Sequence, residues 1–141
     1  MKTQYSMVGV FIQPFYGNGI FEGKNLLHNE TDNSLIGKLS DVAGQSSIKG
    51  TLELSKGVME FEQQYYGDKS IIEYKFVKQE NLWRGNFNGE WTGLGEAMCE
   101  IFNPKKQCSQ FDWNYIASKV GLSDSGTENL FQDLLKKMAH K

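Results

Sequence analysis

Apolar and polar positions alternate in short runs through the first hundred residues. In "SSIKGTLEL", Ile48, Gly50, Leu52 and Leu54 fall on one side, and Lys49, Thr51 and Glu53 on the other. In "VMEFEQQYY", Met59, Phe61, Gln63 and Tyr65 oppose Glu60, Glu62 and Gln64. "SIIEYKFV" sets Ile72, Tyr74 and Phe76 against Glu73 and Lys75. "LWRGNFNGEW" sets Trp83, Gly85, Phe87, Gly89 and Trp91 against Arg84, Asn86, Asn88 and Glu90. A period of two with one apolar side is the pattern of an antiparallel strand that is dry on one face and wet on the other.

The pattern predicts strands over residues 5–13, 19–29, 34–39, 46–54, 58–66, 70–77, 82–91 and 96–102. The links between them ("YGNG", "ETDN", "DVAGQ", "SKG", "YGDK", "KQEN") are turn material, rich in Gly, Asn and Asp. Links this short force neighbouring strands to run antiparallel, because a parallel crossover needs a dozen or more residues. A sheet of eight strands with one dry face must cover that face, and closure into a barrel also removes the unpaired edges. The expected architecture is mainly β: an eight-stranded, antiparallel, up-and-down barrel over residues 1–103. Glycines on the inner face (Gly50, Gly85, Gly89, with Gly37 a further candidate) let strands bend and let rings lie across the backbone.

The period changes after Phe102. "SQFDWNYIASKVGL" carries Phe111, Tyr115, Ile116 and Lys119 at near-helical spacing, with Gly121 as a stop. A second helix is expected over 127–140, capped by Thr127, with Leu130, Phe131, Leu134, Leu135 and Met138 on one side and Lys136 and Lys137 on the other. Residues 104–141 therefore read as a helical extension packed on the barrel or on a partner.

Two strands resist assignment of a face. In the last, Leu94, Glu96, Met98, Glu100 and Phe102 share one side, and Gly95, Ala97, Cys99 and Ile101 the other. Placing Cys99 and Ile101 inside leaves both glutamates in solvent, the better fit to which residues proteins bury. The first strand is equally two-sided, so Tyr5 and Gln13 fit either face.

The quoted strands, from "IGKLSDVAGQSSIKGTLEL" through "FEQQYYGDKSIIEYKF" to "LWRGNFNGEW", resemble the repeated-hairpin glycine pattern of small calycin-type barrels, the lipocalin-like and avidin-like domains. The likeness spans about residues 5–103. It implies the barrel and an interior ligand site. The Gly-x-Trp of the first lipocalin strand is missing, since Gly9 is followed by Val10 and Phe11, and no functional residue is carried over.

Composition narrows the function classes. The net charge of −2 over 141 residues gives no basis for nucleic-acid binding. No apolar run is long enough for a membrane span and no secretory signal is visible, so a cytoplasmic setting with reduced Cys99 and Cys108 is the expectation. Cys99 and Cys108 stand nine apart with no second Cys pair or nearby His, which is not the ligand spacing of a zinc site, and no cofactor motif is present, so neither a metal nor a cofactor is expected. His28 reads as a polar residue at a strand end beside a turn, and His140 as incidental. Glu96, Glu100 and Asp41 could supply an acid or base only if they faced inward.

The aromatics carry the strongest signal. Phe61, Gln63, Tyr65, Tyr74, Phe76, Trp83, Phe87 and Trp91 come from adjacent strands and converge on the interior. An eight-stranded barrel is wide enough either to be filled by such side chains or to hold one small ligand. The leading expectation is a non-catalytic protein that holds a small hydrophobic or aromatic ligand in the barrel mouth. One alternative is a solid barrel serving as an interaction module, with helix 127–140 docking on a partner or a second copy. Another is a barrel enzyme of the cyclase or isomerase type, using an inward Glu or Tyr.

Overall fold

A computed structural model describes residues 1–13, 17–120, 132 and 136. Eight strands follow in order: β1 (Lys2–Ile12), β2 (Gly19–Asn29), β3 (Ser34–Asp41), β4 (Gly44–Glu53), β5 (Val58–Tyr65), β6 (Ile72–Gln79), β7 (Leu82–Gly89) and β8 (Gly93–Phe102). Each pairs antiparallel with the next, and β8 returns to β1 from Ser6↔Phe102 to Ile12↔Glu96, closing the barrel. The expected closed, up-and-down topology is the one observed. Trp91, expected at the end of a strand, lies instead in the turn between β7 and β8.

Closure needs tight strand approach. A Cβ on Gly85 would stand 1.7 Å from Lys75 O, and one on Gly50 2.0 Å from Glu60 O. No side chain fits at such distances, so these two inner-face positions admit glycine alone. The large-small alternation of "WRGNFNGEW" thus has a local cause: Gly85 lies against the backbone beside Phe76, its partner across the ladder.

The inner face buries Phe21, Leu26, Leu35, Leu39, Ile48, Leu52, Met59, Phe61, Ile72, Phe76, Trp83 and Phe87 as one core. The outer wall of β4–β6 presents Lys49, Glu60, Glu62, Glu73 and Lys75 to solvent.

A second apolar cluster sits outside the barrel. Helix α1 (Trp113–Val120) lays Trp113, Ile116 and Val120 over Val10, Leu82 and Met98, which point away from the barrel axis. Asp112 caps it: its side chain accepts from Tyr115 N at 3.1 Å and its carbonyl from Ile116 N at 3.1 Å. The buried stripe is Trp113–Ile116–Val120. Tyr115, expected on that stripe, is 57% exposed. Among the described residues α1 is the one helix; the second helix expected over 127–140 lies outside them except for Gln132 and Lys136.

The covered outer face explains why β1 and β8 looked two-sided. Ala97 and Cys99 face the interior, as expected, whereas Met98 and Glu100 face α1 and its lead-in. Glu96 is exposed, but Glu100 is not in solvent: it is 4% exposed. Its Oε1 accepts from Ser109 Oγ (2.6 Å) and Trp113 Nε1 (3.2 Å), and its Oε2 from Gln110 N (3.0 Å). The carboxyl satisfies the buried indole and fastens the extension to the wall.

Strand β2 contains a bulge. Its pairing with β3 passes from Glu22↔Ser40 to Leu27↔Ile36, so β2 has one residue more than its partner over that stretch. Asn25, at φ 60°, occupies the left-handed region there, which Asn tolerates better than most residues. Before the bulge Phe21 and Gly23 are buried; after it Leu26 and His28 are. His28 stands at the strand end beside a turn, as expected, but its side chain turns inward rather than to solvent. It is 2% exposed inside the barrel.

Candidate functional site

The barrel has two unlike poles. At one, the ends of β1 and β7, the first residue of β6 and the β3–β4 hairpin surround a cavity of about 200 Å3. Its apolar wall is Phe11, Ile72, Tyr74, Phe87 and Trp91; its polar groups come from Gln13, Asn18, Tyr65 and Thr92. Phe11 meets Phe87 edge-on at 6.5 Å between ring centroids, and Tyr65 lies 6.1 Å from Trp91.

Below this mouth the interior is filled by rings. Phe61 stacks on Tyr74 at 4.9 Å, Tyr74 on Phe76 at 5.9 Å, and Tyr74 leans on Phe87 at 5.2 Å. Such offset pairs add to the burial of their area and fix the rings against one another. Four of the eight residues expected at a site, Tyr65, Tyr74, Phe87 and Trp91, thus line the cavity. Phe61 and Phe76 belong to the packed layer beneath. Trp83 is buried toward the far pole, where a smaller space of about 130 Å3 also touches Tyr5, Ile101 and Glu100.

Gln63 is 1% exposed. Its Nε2 donates to Ser46 Oγ at 2.8 Å, and Ser46 Oγ in turn donates to Leu39 O at 3.4 Å. Gln63 Oε1 is buried with no partner.

The rim is held by hydrogen bonds. Tyr65 OH donates to Asp41 Oδ2 at 2.5 Å, while Asp41 Oδ1 accepts from Ala43 N at 2.8 Å, so the β3–β4 hairpin is fixed over the mouth. Gln13 N donates to Asn18 Oδ1 at 3.1 Å, and Asn18 Nδ2 to Val120 O at 3.0 Å, which joins the rim to the end of α1. Burial, with the Asp41 carboxylate as second cause, pushes the Tyr65 phenol well above its ordinary value. Burial does the same to Tyr74, with smaller contributions from Tyr65 and Asp41. Both phenols are neutral near pH 7, and neither is a base there.

Glu96 and Glu100 stand on the outer face, so neither supplies an inward acid. Cys99 is buried and free, and burial raises its thiol well above the ordinary value; Cys108 is free and exposed. His28 Nε2 donates to Leu52 O at 2.7 Å, which leaves Nδ1 as a buried nitrogen without a partner. Among the described residues no group of three or more His, Cys, Asp or Glu gathers to hold a metal ion. No described helix is long and apolar enough to cross a membrane.

A wider trough, about 620 Å3, lies on the outer wall over Gly50 between Lys49, Glu60, Glu62, Glu73 and Lys75. Its charges face water and its floor is strand backbone, so it offers a bound molecule little desolvation. The mouth, enclosed by rings, offers more.

Three features of the mouth escaped the alternation. Phe11 and Gln13 lie on the two-sided strand β1, and only the covering helix shows which side is inner. The Tyr65–Asp41 bond joins a strand to a hairpin 24 residues away. Asp41 in "DVAG" signals the Asx turn, but nothing local signals its second partner. Compared with known proteins, the chain matches no family model, no curated protein and no solved structure.

Proposed function

We propose that the protein is a non-catalytic binder that holds a small aromatic or hydrophobic molecule in the barrel mouth. The observation that carries this reading is the ring-lined cavity of about 200 Å3 left open above a core that is otherwise filled. Pockets for drug-sized molecules run to about 300–1,000 Å3, and a dry cavity of about 150 Å3 admits benzene. The occupant is therefore a molecule of one or two rings. Burying such a molecule removes apolar surface from water, and the preset rim costs little ordering.

The enzyme alternative loses support from the outward placement of Glu96 and Glu100. The interaction-module alternative rests on helix 127–140, nearly all of which lies outside the described residues.

Two measurements test the proposal. Native mass spectrometry of protein purified from its own host is expected to show a retained small molecule. Titration of the full chain with toluene and indole is expected to give saturable amide shifts in nuclear magnetic resonance spectra, centred on Phe11, Ile72, Phe87 and Trp91. Host protein of bare polypeptide mass, together with mouth amides that stay still under both compounds, would refute it.

A further inference from the structure

The wall of the mouth is not equally firm all round. Phe11, Ile72 and Phe87 each have ladder partners on both sides. The tip of the β3–β4 hairpin, residues 41–44, does not. Toward the tip, the pairing of β3 with β2 ends at Glu22↔Ser40, and that of β4 with β5 ends at Ser46↔Tyr65, one residue past which Tyr66 N donates to Gln45 O. Beyond those points the tip has its own pair, Asp41↔Gly44, and the turn bond from Ala43 N to Asp41 Oδ1. Its tie to the rest of the barrel is the hydrogen bond from Tyr65 OH to Asp41 Oδ2.

This free-standing tip separates two spaces. Val42 and Ala43 border the mouth cavity on one side. On the other, Asp41 and Val42 border a groove of about 450 Å3, which parts the tip from Ile20 and Glu22 of β2 and from Asn114 of α1. An outward swing therefore meets open space rather than core, and Val42, 89% exposed, gives up almost no burial in making it. A hydrogen bond to a carboxylate is stronger than one between neutral groups, so the tied position is the resting one. We propose that the β3–β4 tip is the gate through which an occupant enters and leaves the mouth, and that the Tyr65–Asp41 bond is its latch. The inference rests on the ligand-binding reading above and adds the route and the control of exchange. Segments that open over a site are drawn from those with few packed contacts, as this tip is.

Indole exchange with the full isotope-labelled chain tests the gate by nuclear magnetic resonance. In the unaltered protein, relaxation dispersion at Ala43 and Gly44 gives the rate at which the tip opens, and indole is expected to leave no faster than that. Tyr65→Phe removes the latch hydroxyl. Asp41→Ser keeps an oxygen for Ala43 N, is too short to reach Tyr65, and alters a residue outside the cavity wall. In both variants the association and dissociation rate constants are expected to rise together by about tenfold, the worth of one charge-assisted hydrogen bond, so that Kd moves far less than either rate. Departure of indole faster than the tip opens would overturn the gate while leaving the cavity a binding site. So would unchanged rates in the folded variants, or a rise in dissociation alone, which would make Tyr65 an ordinary contact. Absence of indole binding would overturn the gate and the ligand-binding reading together. The comparison of rates in the unaltered protein decides by itself, so the test survives a variant that fails to fold.

Discussion

At the scale of single residues, the inner and outer walls treat polar groups differently. Gln63 and His28 are each half satisfied within the barrel, whereas Glu100, on the outer wall, accepts three hydrogen bonds. Removing the Glu100 carboxyl strands the donors of Ser109, Gln110 and Trp113 in a covered site. Glu100→Ala is therefore expected to lower unfolding free energy by about 2–4 kcal/mol in urea titrations, with Glu100→Gln falling between the two. A loss below about 1 kcal/mol would mean that the fastening of the extension lies elsewhere. Glu100 was not legible in the sequence as a buried group. Its neighbours in the chain alternate like any strand, and its three partners lie 9 to 13 residues further on. The ring residues were legible, because each alternates with a charged or amide side chain that fixes its face.

At the scale of elements, alternation located all eight strands to within three residues at each end, with β1 and β8 each started three residues late. It worked best on β4–β7, whose outer side is wet. It was silent on β1 and β8, because α1 dries their outer side as well, and a strand covered on both faces loses its period. The helix itself was legible, its orientation less so. Tyr115 and Phe111 suggested a stripe one step round from the true one, whereas the Trp113 indole, seated on Glu100, turns Trp113, Ile116 and Val120 inward. This assignment has a direct test. Ile116→Ala is expected to cost about 2–4 kcal/mol by the same urea measurement, as a buried aliphatic cut to a methyl. Tyr115→Ala, at an exposed position, is expected to stay within about 0.5 kcal/mol. The reverse order would place Tyr115 on the packed side.

At the scale of the whole molecule, closure was legible because short turns permit nothing but sequential antiparallel pairing. The unfilled mouth was not, since it depends on how the volumes of many inward side chains sum at one level of the barrel. Closure also governs the response to alkali. Tyr65 and Tyr74 have phenol values above the ordinary 10.0, because burial disfavours the phenolate. The unfolded chain loses these protons first, so stability is level below pH 10 and falls as pH rises beyond it. Phenolate absorbance from Tyr65 and Tyr74, isolated by difference against Tyr65→Phe and Tyr74→Phe, is expected to appear together with loss of β circular dichroism. Ionisation of both in the intact barrel near their ordinary value would contradict the packing described. The bulge at Asn25 has a consequence of another kind. Most single-residue insertions or deletions do least harm where the chain turns, yet here the surplus residue lies in mid-strand. Deleting Asn25 would leave Phe21, Gly23, Leu26 and His28 in step on one face, so β2 could lose a residue from its middle and still present the same side chains to the barrel's centre.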